Sequence, residues 1–222
     1  MSEDLILPVA HTVDAMDIWP GSQEPRETGF QVANKTTDTF FEHFAKHQDR
    51  LKRYGTAMAA NAASEGYHVK HLVDNYPWET LGDGTVVDLG GSQGHVSMAI
   101  AAKYPSLSFV VQELPSMRPP SVNAPVPAEF ESRVSLTIHS FFDPQPISAE
   151  VYLFRWIMHN WSDAYAIKIL QALIPALKPG ARVLINDGVL HEPGTIGLLE
   201  DKSIRYVDPS VFDDRELVNV GT

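Results

Sequence analysis

One stretch limits the folds open to this chain more than any other: Val86-Val87-Asp88-Leu89-Gly90-Gly91-Ser92-Gln93-Gly94. A short apolar run reaches an acid, then three glycines within five residues, then Val96 to Ala102, which reads as a helix. The pattern is strand, tight turn, helix. Glycine permits positive φ and lets a backbone come close to a ligand. The opening turn of a helix presents unpaired N–H groups at the positive end of its dipole. Further on, Phe109-Val110-Val111-Gln112-Glu113 is a second apolar run that ends in an acid. An acid in that place can accept hydrogen bonds from ribose hydroxyls. The residues therefore favour a nucleotide-like cofactor at the strand ends of an α/β sheet. The plainer alternative is a glycine-rich turn with no ligand.

From residue 86 onward, apolar runs and helical segments alternate, as in a parallel sheet with crossovers. The strands expected are Val86–Gly90, Ser108–Gln112, Ser135–His139, Val151–Arg155 and Arg182–Asp187. The helices expected are Val96–Lys103, Ala164–Ala176 and roughly Thr195–Tyr206, with a loop from Pro119 to Pro127. Lys178-Pro179-Gly180 stops a helix ahead of the last clear strand. The preceding region is mainly helical. Thr36–Lys52 reads as one helix with Phe40, Phe41, Phe44, Ala45 and Leu51 near one face, capped by Thr37 or Asp38. Leu5–Val9 fits a strand or a helix end, and Pro20–Pro25 is turn chemistry.

Charge and composition narrow the classes of partner. Against 28 acidic residues there are 17 Lys and Arg, a net charge of −11. That argues against non-specific nucleic-acid binding and against an anionic membrane surface. No apolar run approaches the roughly 20 residues of a membrane span, and Met1–Ala10 does not read as a signal peptide. The chain has no cysteine, so disulfides, thiolate metal sites and cysteine nucleophiles are excluded. A cytoplasmic protein is expected.

Several segments taken together are similar to a known family. They are Val86–Gly94, Glu113-Leu114-Pro115, Phe141-Phe142, Phe154-Arg155-Trp156-Ile157-Met158-His159-Asn160-Trp161-Ser162-Asp163 and Leu177-Lys178-Pro179-Gly180. Their order and spacing resemble the S-adenosylmethionine-dependent O-methyltransferases of the plant caffeate and fungal secondary-metabolite type. The His-Asn-Trp-Ser-Asp segment is the specific part. Trp19–Pro25 and Leu184–Leu190 resemble the fungal branch.

The resemblance implies a Rossmann-like class I methyltransferase sheet, shortened by loss of its last antiparallel hairpin, with a small N-terminal helical region. It divides the chain into a helical remnant of a dimerisation domain (1–84), the cofactor domain (85–206) and a tail (207–222). It also assigns residues. Asp88, Gly90, Gly91 and Gly94 hold the methionine end of S-adenosylmethionine, and Glu113 with Leu114 holds the ribose. Phe141 and Phe142 pack on the adenine, Ser140 stands at the position that holds the adenine amino group, and Arg155 lies near the cofactor. His159 is the base that deprotonates an acceptor hydroxyl, and Asp187 orients it. A histidine titrates near neutral pH, and an acid on its other ring nitrogen fixes the tautomer. No metal is implied. The expected partners are a small hydroxylated acceptor and a second copy or another chain; the apolar edge at 182–187 is expected to be covered by such a partner or by the chain's own tail. Two departures stand out. Ser140 occupies a place where the family carries an acid, and both ends of the chain are short relative to the family pattern. These leave room for a repurposed fold that catalyses a cyclisation or isomerisation, or for a non-catalytic subunit.

Overall fold

A computed structural model describes residues 2–117, 125–188, 195 and 218–219. Six strands form one sheet in the order β3-β2-β1-β4-β5-β6. They are β1 Thr85–Leu89, β2 Ser108–Glu113, β3 Val134–Ile138, β4 Val151–Arg155, β5 Arg182–Asn186 and β6 Val218–Asn219. The first five run parallel, with Val87 beside both Val110 and Tyr152. The chain moves outward through β2 and β3, then returns to the other side of β1 for β4 and β5. That reversal opens a crevice beyond the strand ends at β1 and β4, where α/β folds place their ligands.

Alternation along the strands divides the core between two faces. Val86, Phe109, Val111, Val151, Leu153 and Leu184 point to one face, against α7 (His95–Lys103) and Trp78. Val87, Leu89, Tyr152 and Phe154 point to the other, against Ile169 and Leu173 of α8 (Asp163–Leu173). Trp78 is wholly buried, and its indole N–H donates to the Leu72 carbonyl at 2.9 Å. That bond satisfies the one polar atom of a large apolar side chain.

Six helices precede β1: α1 Ser2–Ala10, α2 Thr12–Ile18, α3 Gly29–Asn34, α4 Phe40–Lys46, α5 Gln48–Ala62 and α6 Lys70–Asn75. Residues Leu5–Val9 are thus helical. The stretch read as one helix over 36–52 is two, parted at His47 with φ −123° and ψ 82°. The cap is neither Thr37 nor Asp38. Thr39 bonds the Glu42 amide while the Glu42 carboxylate takes the Thr39 amide, a capping box. Phe30, Phe44 and Leu51 form a separate buried cluster here, with Phe40 stacked on Phe44 at 4.4 Å. Asp4 of α1 is 4% exposed and meets Arg50 of α5 at 2.7 Å.

β5 is not the end of the sheet. β6 pairs with it antiparallel, Ile185 beside Val218 and Leu184 beside Asn219. Of the covers expected for this edge, the chain's own tail is the one that meets it over those positions. The helix expected near Thr195–Tyr206 and most of the Pro119–Pro127 loop lie outside the described residues.

Candidate active site

The site is built from the segments at the C-terminal ends of the parallel strands. After β1 the chain turns at once. Gly90 has φ +71°, and its amide donates to the Gln112 carbonyl at 2.8 Å. That φ favours glycine, and a Cβ there would also press the end of the Ile157 side chain at 2.6 Å. Gly94, at φ +78°, lies against Val111 and Leu136 and starts α7. Gly91 is needed for a different reason: a Cβ would meet the Asp88 carboxylate at 2.5 Å.

Asp88 shares the α7 face of β1 with Val86, and is 1% exposed. Its Oδ2 accepts from Ser97 Oγ at 2.7 Å. Burial pushes its pKa up to about 6, against the partial opposition of the Ser97 hydrogen bond and the Arg155 charge. Asp88 therefore sits beneath the glycine turn and supports it. Glu113, at the end of β2, faces the turn directly. One carboxylate oxygen accepts from the Ser92 amide at 3.2 Å, the other from the Leu114 amide at 2.8 Å.

The segment after β3 is pinned twice. Ser140 Oγ accepts from the Phe142 amide at 3.3 Å, and Gln145 exchanges two amide hydrogen bonds with Gln112, at 3.0 and 2.8 Å. These set Phe141 and Phe142 edge-on to each other at 5.0 Å and both against Trp161. The result is an apolar shelf beside the turn.

After β4 the backbone does something only rarely tolerated outside glycine: Trp156 has φ +57°. Its amide donates to the Asn186 carbonyl at 3.0 Å. Arg155 lies 4.2 Å over the Trp156 ring, while its Nε donates to Asn186 Oδ1 at 3.0 Å and its Nη2 to the Tyr67 carbonyl at 2.5 Å. Held this way, the chain enters a short 3-10 turn, Met158–Asn160, that carries His159.

Asp187, directly after β5, receives that turn. Its Oδ1 lies 2.5 Å from His159 Nδ1, and its Oδ2 accepts the His159 amide at 3.1 Å. A carboxylate on Nδ1 makes that nitrogen the proton donor, so Nε2 carries the lone pair. Asp187 is mostly buried and His159 about half exposed. The arrangement suits a base that is oriented from behind and open in front.

The sequence pattern brings together the right strand ends but misses several supports. Gln23 takes the place of a cap on α8: its Oε1 accepts the Ala164 amide at 3.1 Å and its carbonyl accepts Ser162 Oγ at 2.8 Å. Tyr165 donates to Glu24 at 2.6 Å. Asn186 and Tyr67 hold Arg155. None of these has a local signal, because each partner is dozens of positions away in sequence. Two buried polar atoms, Gln93 Oε1 and His139 Nε2, have no hydrogen-bond partner among the described residues. Also among the described residues, no cluster of three or more His, Asp or Glu side chains is arranged to hold a metal ion. No described helix is long and apolar enough to cross a membrane.

A family model for the O-methyltransferase domain matches residues 25–202. The chain belongs to that family. Within it, a grayanic acid biosynthesis cluster O-methyltransferase of Cladonia grayi is 43% identical over 192 residues, covering 85% of this chain and 43% of the relative. Among solved structures, OxaC in complex with SAH and oxaline superposes with a TM-score of 0.75 at 27% identity, covering 95% of this chain and 54% of that one. A structure described as a pericyclic reaction enzyme superposes with a TM-score of 0.66 at 25% identity, covering 86% and 50%. The chain spans about half the length of the relatives it matches.

The residues present suit an adenosyl cofactor of the family. A glycine turn exposes backbone where side chains could not fit, a carboxylate stands at the mouth, a phenylalanine shelf lies beside it, and two polar atoms are left without partners among the described residues.

Proposed function

We propose that this chain is the cofactor-binding and catalytic part of an S-adenosylmethionine-dependent O-methyltransferase acting on a hydroxyl of a small secondary metabolite. The observation that carries this is the His159–Asp187 pair, 2.5 Å apart beyond the C-terminal ends of β4 and β5. When bound, the cofactor supplies an electrophilic methyl group. Gly90–Gly94, Glu113 and the Phe141–Phe142 shelf hold it. His159 Nε2 takes the acceptor's hydroxyl proton, and Asp187 stabilises the imidazolium that results. Asp187 also grips the His159 backbone, so the base is positioned by its main chain as well as its ring. The remaining task is alignment of the two reactants, where positioning contributes most.

Calorimetric titration with S-adenosylmethionine tests the first step; no heat at about 1 mM cofactor defeats the proposal. His159→Ala should then abolish methylation and leave cofactor affinity within about twofold, since the ring acts on the acceptor.

A second reading comes from the likeness to the pericyclic reaction enzyme. In it the same crevice binds cofactor but catalyses a rearrangement. Product formation without stoichiometric S-adenosylhomocysteine release would favour it. The exposed apolar side chains Ile6, Leu7, Val9, Val13, Met16 and Ile18 along α1 and α2 support self-association through that face. Sedimentation of the chain as a clean monomer would count against this.

A further inference from the structure

Methyl transfer by His159 and Asp187 leaves two polar atoms unused. Gln93 Oε1 and His139 Nε2 are both shut off from solvent and have no partner among the described residues. A buried polar atom left unpaired is destabilising, so each of the two requires an explanation.

Both are tied to the same residue. Gln93 comes after Ser92, whose amide donates to the Glu113 carboxylate, and precedes Gly94, which lies against Val111 of β2 and Leu136 of β3. His139 comes directly after β3, and its amide donates to the Glu113 carbonyl at 3.3 Å. The two residues therefore lie in the segments that meet Glu113, the glycine turn and the end of β3. In the strand order, β3 and β2 lie on the side of β1 away from β4 and β5, which carry His159 and Asp187. The reacting end of a bound cofactor belongs beside β4. Its other end belongs over β2 and β3. The hydroxyl oxygen of Ser140 is already engaged by the Phe142 amide, which leaves His139 Nε2 as the polar atom without a partner at that strand end.

We propose that Gln93 and His139 recognise the nucleoside half of the cofactor, Gln93 Oε1 accepting a ligand N–H or O–H and His139 Nε2 bonding a polar atom of the purine or ribose. This rests on the proposed use of the crevice for S-adenosylmethionine. It gives Gln93 a reason to occupy the glycine turn, and it gives this chain a polar contact one residue before Ser140.

The test uses the whole chain and two ligands, S-adenosylhomocysteine and 5′-methylthioadenosine, titrated calorimetrically. The second has the nucleoside but lacks the amino-acid end. Gln93→Leu and His139→Phe should each raise the Kd for both ligands about tenfold, the loss of one good hydrogen bond. The ligand-free melting temperature should hold or rise, because an unpaired polar atom is replaced by an apolar one. His139→Gln keeps a polar atom in place and should recover part of the affinity. Unchanged affinity for 5′-methylthioadenosine in both apolar variants overturns the inference, as does a lower melting temperature with unchanged affinity. Wild-type protein that binds neither ligand overturns the cofactor proposal itself, and this inference with it.

Discussion

Replacing Asp88 with asparagine should make the protein more stable at neutral pH and leave it unchanged in acid. Asp88 is buried beneath the glycine turn, its carboxylate bonded to Ser97 and covered by Gly91. Burial raises its pKa from 3.8 to about 6. A rise of about two units corresponds to about 3 kcal/mol of penalty on the ionised form in the folded state. Below about pH 4, Asp88 is protonated folded or unfolded, and it contributes nothing to the difference. Between about pH 4 and 6 the unfolded chain loses the proton while the folded one keeps it. Stability falls through that window and the loss is complete above it. Asparagine keeps an acceptor for Ser97 and cannot ionise. The stability of Asp88→Asn minus that of wild type should therefore be near zero at pH 4 and climb to about 3 kcal/mol by pH 7. Urea unfolding monitored by tryptophan fluorescence at pH 4, 5, 6 and 7 measures it, and other titrating groups cancel in the difference. Parallel curves at all pH values, or a variant less stable than wild type at pH 7, would refute the account of Asp88 as a carboxylate destabilised by its own burial.

Asp187→Asn should slow turnover by about 10²–10⁴-fold with S-adenosylhomocysteine affinity unchanged, since the tautomer of His159 is lost and the cofactor contacts are not; steady-state kinetics beside a binding titration separates the two. Gly94→Ala should destabilise by about 1–3 kcal/mol, because φ +78° disfavours a side chain and Val111 stands 3.1 Å from the new Cβ. Gly21→Ala, at φ +72° with no atom within 4 Å, should cost less; equal shifts in melting temperature would remove the packing argument. Gln23→Ala strips the acceptor from the Ala164 amide at the start of α8 and should cost about 0.5–2 kcal/mol in chemical unfolding.

The parallel strands were legible because each is a short run rich in apolar and β-branched residues, most of them bounded by glycine or an acid. All five fall within a residue of the expected positions. His159 and Asp187 were legible through a motif, and the 2.5 Å contact between them bridges 28 positions. What failed to show depends on specific side-chain partners rather than on apolar periodicity. His47 breaks a helix that periodicity carries straight through. Its Nδ1 lies 2.7 Å from the His43 carbonyl and its ring stacks on His43 at 4.2 Å, a local competitor that no propensity records. Thr39 outcompetes Thr37 and Asp38 as cap because Glu42 lies three residues beyond it, which completes the box. β6 is two residues in an acidic stretch, and its partner β5 supplies the pairing.

The N-terminal helical region does more than pack against the sheet domain. The segment 155–165 that carries His159 is fastened at both ends to residues that precede the sheet. The Tyr67 carbonyl accepts from the Arg155 guanidinium at its start, and Gln23 and Glu24 accept from Ser162, Ala164 and Tyr165 at its finish. The placement of His159 is therefore not separable from the N-terminal helices. A chimera that borrows another family member's N-terminal helices would give His159 a new seat, and should lose methylation rate until Gln23 and Glu24 are restored.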